Sequence, residues 1–309
     1  MAAPDTAIET PAGKAGVQAK RTFGRLPLHA TVIVLALLWS VPTLALIVSS
    51  FRPPAEIATS GWWNALKTPF DWTLANYDAV LSQRGMGRAF VNSMIITIPS
   101  TILVILVAAL AAYAFAWMAF PGRNLLLLVM VGLLVVPLQM TLIPVLRLYV
   151  QIGIDVEIPL LGGNVFGTSS YPGIWVAHAA YGLPFAIYLL RNFFGGLPRD
   201  LVEAALLDGA SDLGVFFRII LPLSTPAIAA LGIFQFLWTW NDLLIALVFL
   251  GDPDLAPMTL RVTNLVSSFG GNYQLLTAAA FVSMALPLLI FFLLQRYFVQ
   301  GILSGAVKG

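Results

Sequence analysis

The sequence contains no cysteine and little charge. Of 309 residues, 16 are Lys or Arg, 14 are Asp or Glu and 2 are His. Without cysteine there is no disulfide, no thiolate metal site and no cysteine nucleophile. Charged residues make up 10%, against roughly a quarter in an ordinary soluble domain. That is too few to cover the surface of a cytosolic enzyme, a secreted domain or a disordered tail protein. The net charge of +2 excludes a large basic surface, so no nucleic-acid partner is expected. The histidines, His29 and His178, are far apart, and no cluster of acids, histidines or serine with a base offers catalysis within the apolar runs. Apolar residues are abundant instead, at 59% with a mean hydropathy of +0.90. The chain reads as an integral membrane protein.

A membrane helix needs about 20 mostly apolar residues, because each adds ~1.5 Å and the hydrocarbon core is ~30 Å thick. Six runs qualify, at about 28–51, 89–120, 124–147, 171–194, 224–250 and 275–298. Barrel strands alternate and are about 10 residues long, so these runs are helices. The expected class is all-α integral membrane. An even number of spans puts both termini on one side. Lys14, Lys20, Arg21 and Arg25, then Arg123, then Arg191, Arg199 and Arg218, then Arg296 and Lys308 mark that side as cytoplasmic. Loop three opposite holds Asp155 and Glu157 without a base, and loop five only Arg261. Loop one weakens the pattern with Arg52, Lys67, Arg84 and Arg88. Residues 1–25, rich in Ala, Pro and Thr, are expected as a disordered cytoplasmic tail without a signal peptide, and 26–309 as the membrane domain. Trp62, Trp63 and Trp72 suit a loop lying at the membrane interface. Of the prolines within spans, Pro137 and Pro144 are the best hinge candidates.

Loop four, 195–223, is unlike the others. Pro198 suits the first turn of a helix, with Asp200 and Glu203 near its positive end. Ala204, Ala205, Leu206 and Leu207 favour helix, and Gly209 can stop it in the left-handed region. Ser211 can cap a second helix, with Asp212 in its first turn, and Pro222 closes it. The result is a helix–turn–helix outside the membrane, serving either as a docking element or as an elbow between two spans.

Glu203-Ala204-Ala205, Gly209, Ile219 and Leu221-Pro222 resemble, at every fixed position, the EAA loop of binding-protein-dependent ABC importer permeases. In that family the loop forms coupling helices that dock on the ATPase. The resemblance implies the type I ABC importer permease fold, with Asp208, Phe216 and Phe217 also in the docking element. Trp238-Thr239-Trp240-Asn241-Asp242, and the end from Gln295-Arg296-Tyr297-Phe298 to Gly305-Ala306-Val307-Lys308-Gly309, are similar to the sugar-importing branch and its maltose-type smaller permease subunit. The family implies these partners: a second, different permease, two copies of a cytoplasmic ATPase, an external sugar-binding protein and membrane lipid. The chain has no G-x-x-x-x-G-K-[ST] motif. It is expected to be no enzyme and to bind no cofactor or metal, with ATP and Mg held by the partner ATPase.

Two readings stand for Asp242. Either it lines a sugar pathway with Gln235, Trp238, Trp240 and Asn241, or it caps a helix turn while the tryptophans anchor the span. Phe216 and Phe217 fill either a pocket of the partner or the space under span five. Arg147 is expected to anchor the end of span three, and His178 to be a packing residue. Loop five reads as long and flexible, with Pro253, Pro257, Gly270 and Gly271. By resemblance it reaches the binding protein. The rival is a stand-alone secondary transporter or channel for a small polar solute, which would want further carboxylates within the spans or an inverted repeat.

Overall fold

The computed structural model describes residues 11–67, 71–152, 167–267 and 273–306, and every regular element among them is helical. Four helices are long and apolar enough to cross a membrane alone: Pro27–Ser50, Met86–Trp117, Tyr171–Phe194 and Tyr273–Gln295. They are the expected first, second, fourth and sixth spans, with ends displaced by a helical turn or less. The helix carrying the first span begins at Pro11. Residues 11–25, expected as disordered, therefore continue it. Pro11 fits a first turn, and the Ala, Lys, Gln and Arg that follow are strong helix formers. Asp155, Glu157, Gly270, Gly271 and the terminal Val307-Lys308-Gly309 lie outside the described residues.

The third span, expected over 124–147 with hinge candidates at Pro137 and Pro144, is bent. It consists of Arg123–Leu133 and Leu138–Gln151, turned by 110°. Pro137 has no N–H to continue the ladder, and its ring displaces the carbonyl four residues back. Tight turns close the first piece, with the Leu134, Val135 and Val136 amides donating to Val131, Gly132 and Leu133. Pro144 sits inside the second helix, so of the two hinge candidates Pro137 carries the bend. The fifth span is also interrupted. The helix Thr225–Trp240 stops, Asn241–Leu243 break it, and Leu244–Phe249 resumes. At its other end it turns by 75° from the segment Asp212–Leu223.

Apolar attraction between helices is weak in lipid, so close approach of small residues does much of the packing. Ala108 and Ala112 of the second span and Ala186 of the fourth are fully buried. Side chains fix the depth of that pairing. Trp175 Nε1 donates to the Ile95 carbonyl at 2.8 Å, and the Tyr171 hydroxyl to Asn92 Oδ1 at 2.8 Å. The fifth span joins at Trp240, whose ring stacks on Phe236, meets Phe90 edge-on and donates Nε1 to the Ser283 carbonyl. Side chains from Leu28 to Leu44 on the first span are exposed, and no residue of Arg123–Leu133 is buried.

Loop one folds into a cap. Arg52 is 2% exposed, and its guanidinium donates to the carbonyls of Ser60 and Glu56 and to Ser60 Oγ. Asn76 donates to the Ser50 and Arg52 carbonyls. Burial raises the Tyr77 phenol above its ordinary pKa, partly offset by Ser50 Oγ at 2.6 Å. The start of loop five is also held. Asn92 Nδ2 donates to the Asp254 and Ala256 carbonyls, the Met258 amide donates to Ser93 Oγ, and Ser169 Oγ accepts from Gly251 and Asp252. The loop was expected to be flexible, but its described residues through Ser267 form a fastened segment followed by a helix.

Candidate functional site

The 199–223 element is a helix, a glycine turn and a second helical arm. The first helix is Arg199–Leu207. Gly209 has φ +83°, and the amides of Gly209 and Ala210 return to the Leu206 and Ala205 carbonyls. Ser211 then caps the second arm, accepting the Gly214 amide at 3.2 Å. The arm widens into a π turn at Phe216–Ile220, where the Leu221 amide reaches back to the Phe216 carbonyl. Pro222 explains the widening. It cannot donate to the carbonyl four residues earlier, and its ring pushes that carbonyl aside.

The element has an anchored face and a bare face. Val202, Val215, Phe216 and Ile220 are buried in one apolar cluster with Tyr113 and Phe194 of the second and fourth spans. Phe216 packs tilted against Tyr113, with centroids 5.3 Å apart. Phe217 meets Phe216 edge-on but is 57% exposed. The two phenylalanines thus divide the readings open from the sequence: Phe216 packs back under the spans, and Phe217 stays free. Glu203, Ala204, Asp208 and Gly209 are exposed, Ala205, Ile219 and Leu221 are half-buried, and Pro222 is exposed. Leu201, Leu206, Leu207 and Leu213 are also exposed, Leu207 at 88%. The exposed surface of the element therefore combines bare leucines, a bare phenylalanine and the acids Glu203 and Asp208.

The residues expected along a pathway separate. Gln235 and Trp240 are buried inside this chain's own bundle, each 1% exposed. Gln235 Nε2 donates to Thr239 Oγ1 at 3.3 Å and faces Gly182 of the fourth span. Trp238 is half-buried and Asn241 exposed. Asp242 is a helix cap: its Oδ2 accepts the amides of Ile245 at 3.0 Å and Ala246 at 3.2 Å, and so starts the helix after the break. Its carbonyl accepts from Thr259 Oγ1 at 2.7 Å. The capping reading of Asp242 describes this geometry.

His178 is the residue whose role the sequence understated. It is 1% exposed on the fourth span, with Nε2 4.0 Å from Asp242 Oδ2 and its ring edge-on to Trp238. Nothing in the spacing of His178 and Asp242 along the chain could have paired them.

The sequence profile described as "Binding-protein-dependent transport system inner membrane component" matches residues 89–304. The chain is 52% identical to the osmoprotective compounds uptake permease protein GgtD of Synechocystis sp., with 92% of each chain covered. It is 42% identical to the alpha-glucoside transport system permease protein AglG of Rhizobium meliloti, covering 91% of this chain and 96% of that one. Its fold matches a chain of a crystallised bacterial ABC transporter involved in the import of the acidic polysaccharide alginate. The TM-score is 0.71 at 19% identity, over 95% of this chain and 100% of the other.

Proposed function

Since the chain belongs to the family of binding-protein-dependent transport system inner membrane components, we propose that it is one of two different permeases in an ATP-driven importer of a hydroxyl-rich solute of the α-glucoside class. The relative named for alpha-glucosides supports that solute class. The observation that carries the role is the two-faced 199–223 element, anchored by Phe216 and bare at Glu203, Leu207 and Phe217. It docks on a separate ATPase, which holds ATP and Mg, and passes closure to the spans through Phe216. Glu203, Ala204, Asp208 and Gly209 form the register of that contact, with Ala205, Ile219, Leu221 and Pro222 shaping the arm beneath it.

Both termini lie in the cytoplasm. Arg191, Arg199 and Arg218 gather at the docking end. Two of the loop-one bases that spoiled the pattern are neutralised locally, Arg52 by carbonyls and Glu56, and Arg88 by Asp254 at 3.0 Å. The bare faces of the first span and of Arg123–Leu133 meet lipid and the second permease. On the solute pathway this chain offers Trp238 and Asn241, while Gln235, Trp240 and Asp242 hold the wall in shape.

The test is reconstitution of the chain with its co-expressed partners. Binding protein loaded with maltose or trehalose should stimulate ATP hydrolysis several-fold and drive uptake. A complex that assembles without any ATPase subunit, or that moves neither solute, would overturn the reading.

A further inference from the structure

The interruption at Asn241–Leu243 brings four helices to one residue. Asp242 follows the helix Thr225–Trp240, its amide donating to the Thr239 carbonyl, and caps Leu244–Phe249 through the Ile245 and Ala246 amides. It also holds the Met258–Ser267 helix through Thr259 Oγ1. On its remaining side it faces His178 of the fourth span. That last contact is unfinished. Nε2 stands 4.0 Å from Oδ2, beyond hydrogen-bond distance, and the buried Nδ1 has no partner. A buried polar ring with unused hydrogen-bonding capacity is costly unless another arrangement uses it. The helix that precedes Asp242 turns by 75° at its opposite end, into the arm of the 199–223 element. A tilt of that helix therefore moves Asp242 relative to His178, and an approach of about 1 Å would close the bond.

We propose that His178 and Asp242 are positioning residues for transport, forming a buried joint that closes and opens as the broken fifth span moves against the fourth. The proposal rests on the importer reading. The joint fastens the far end of the fifth span in one conformation, so hydrolysis at the docking end becomes movement at the pathway rather than slack.

The experiment uses the whole complex in proteoliposomes, with maltose- or trehalose-loaded binding protein as the probe. Asp242→Asn keeps an oxygen for the cap but loses the carboxylate. His178→Leu removes the ring's donor, leaves the cap untouched and decides the matter if the first variant assembles poorly. Each variant should lower solute moved per ATP roughly tenfold, the worth of one charge-assisted hydrogen bond, with normal complex yield and melting. The double variant should be no worse than either single one, because both remove the same contact. A purely structural role would lower yield and melting while leaving the ratio unchanged. Wild-type ratios in His178→Leu, or additive losses in the double variant, would overturn the joint alone. Failure of the wild-type complex to move solute would overturn the importer reading and the joint with it.

Discussion

A Cβ built on Gly182 would lie 2.9 Å from both Nε2 and Oε1 of Gln235. The fourth and fifth spans cross there with no room for a methyl group. Gln235 cannot swing aside freely, because it is buried and its amide is bonded to Thr239. Gly182→Ala should therefore destabilise the helix pair by about 1–3 kcal/mol, the usual cost of overpacking. Thermal unfolding of the purified complex measures it. The double variant Gly182→Ala with Gln235→Ala should recover most of the loss. If the second substitution only adds damage, the crossing is not the source of the strain.

Phe216 and Phe217 are adjacent yet should behave differently. Removing the buried ring at 216 leaves a cavity against Tyr113 and should cost about 3 kcal/mol, seen as a lower melting temperature. Phe217→Ala should leave melting unchanged and weaken ATPase association roughly tenfold, as loss of an aromatic anchor does. Affinity capture of the ATPase by each variant separates the two. Equal retention of the ATPase by Phe217→Ala and wild type would remove Phe217 from the contact.

Much of this arrangement was legible in the sequence, and what was not has physical reasons. The helix–turn–helix at 199–223 could be read because its signals are local. Gly209 adopts the left-handed angle expected of a stop, and Ser211 caps the next arm. The bend at Pro137 was signalled, but its size depends on what the two halves pack against. Both readings of the sequence treat Trp238 and Trp240 alike, as pathway rings or as anchors of the span. Residues two apart on a helix point about 200° away from each other, so one ring went to the core and the other did not. Arg52 counted as an outer-loop charge because burial against the Glu56 and Ser60 carbonyls of its own loop leaves no mark on a charge tally. The Pro and Gly content of loop five suggested slack, while Asn92 and Ser93, far back in the chain, supply the fastening.

Gly209 stands in open space, with nothing within 4 Å of a built Cβ, so its requirement is conformational alone. At φ +83° an L-residue costs about 1–2 kcal/mol, least for Asn and most for a β-branched side chain. Gly209→Asn should transport normally. Gly209→Val should open the turn and reduce uptake severely at normal expression. Loss of uptake in both would mean that the glycine is needed for the partner's close approach rather than for its own backbone.

Glu203 is exposed on the first helix of the element. A charge at the rim of a contact fixes register more than affinity. Glu203→Lys should abolish uptake and uncouple ATP hydrolysis from the loaded binding protein, with unchanged melting. Glu203→Gln should retain part of the coupling, because it keeps shape without inverting charge. Wild-type uptake by the lysine variant would exclude Glu203 from the docking register.

Beside Ser93, Arg88 and Asn92 tie the segment after the fifth span to the second span, and these two should differ in weight. Arg88 pairs with Asp254 at 3.0 Å, but both side chains are more than half exposed, and such pairs contribute about 0–1 kcal/mol. Asn92 is buried, donates to the Asp254 and Ala256 carbonyls and accepts from Tyr171. Its removal strands three partners at once, each costing about 1–3 kcal/mol where water cannot replace the bond. Asn92→Ala should free residues 251–257 for protease cleavage and weaken stimulation of the ATPase by the binding protein, which docks on this side of the membrane in the proposed orientation. Arg88→Ala should do neither at physiological salt. A larger effect from Arg88 would mean that its guanidinium meets the binding protein itself, since its own ion pair is too weakly held to account for the loss.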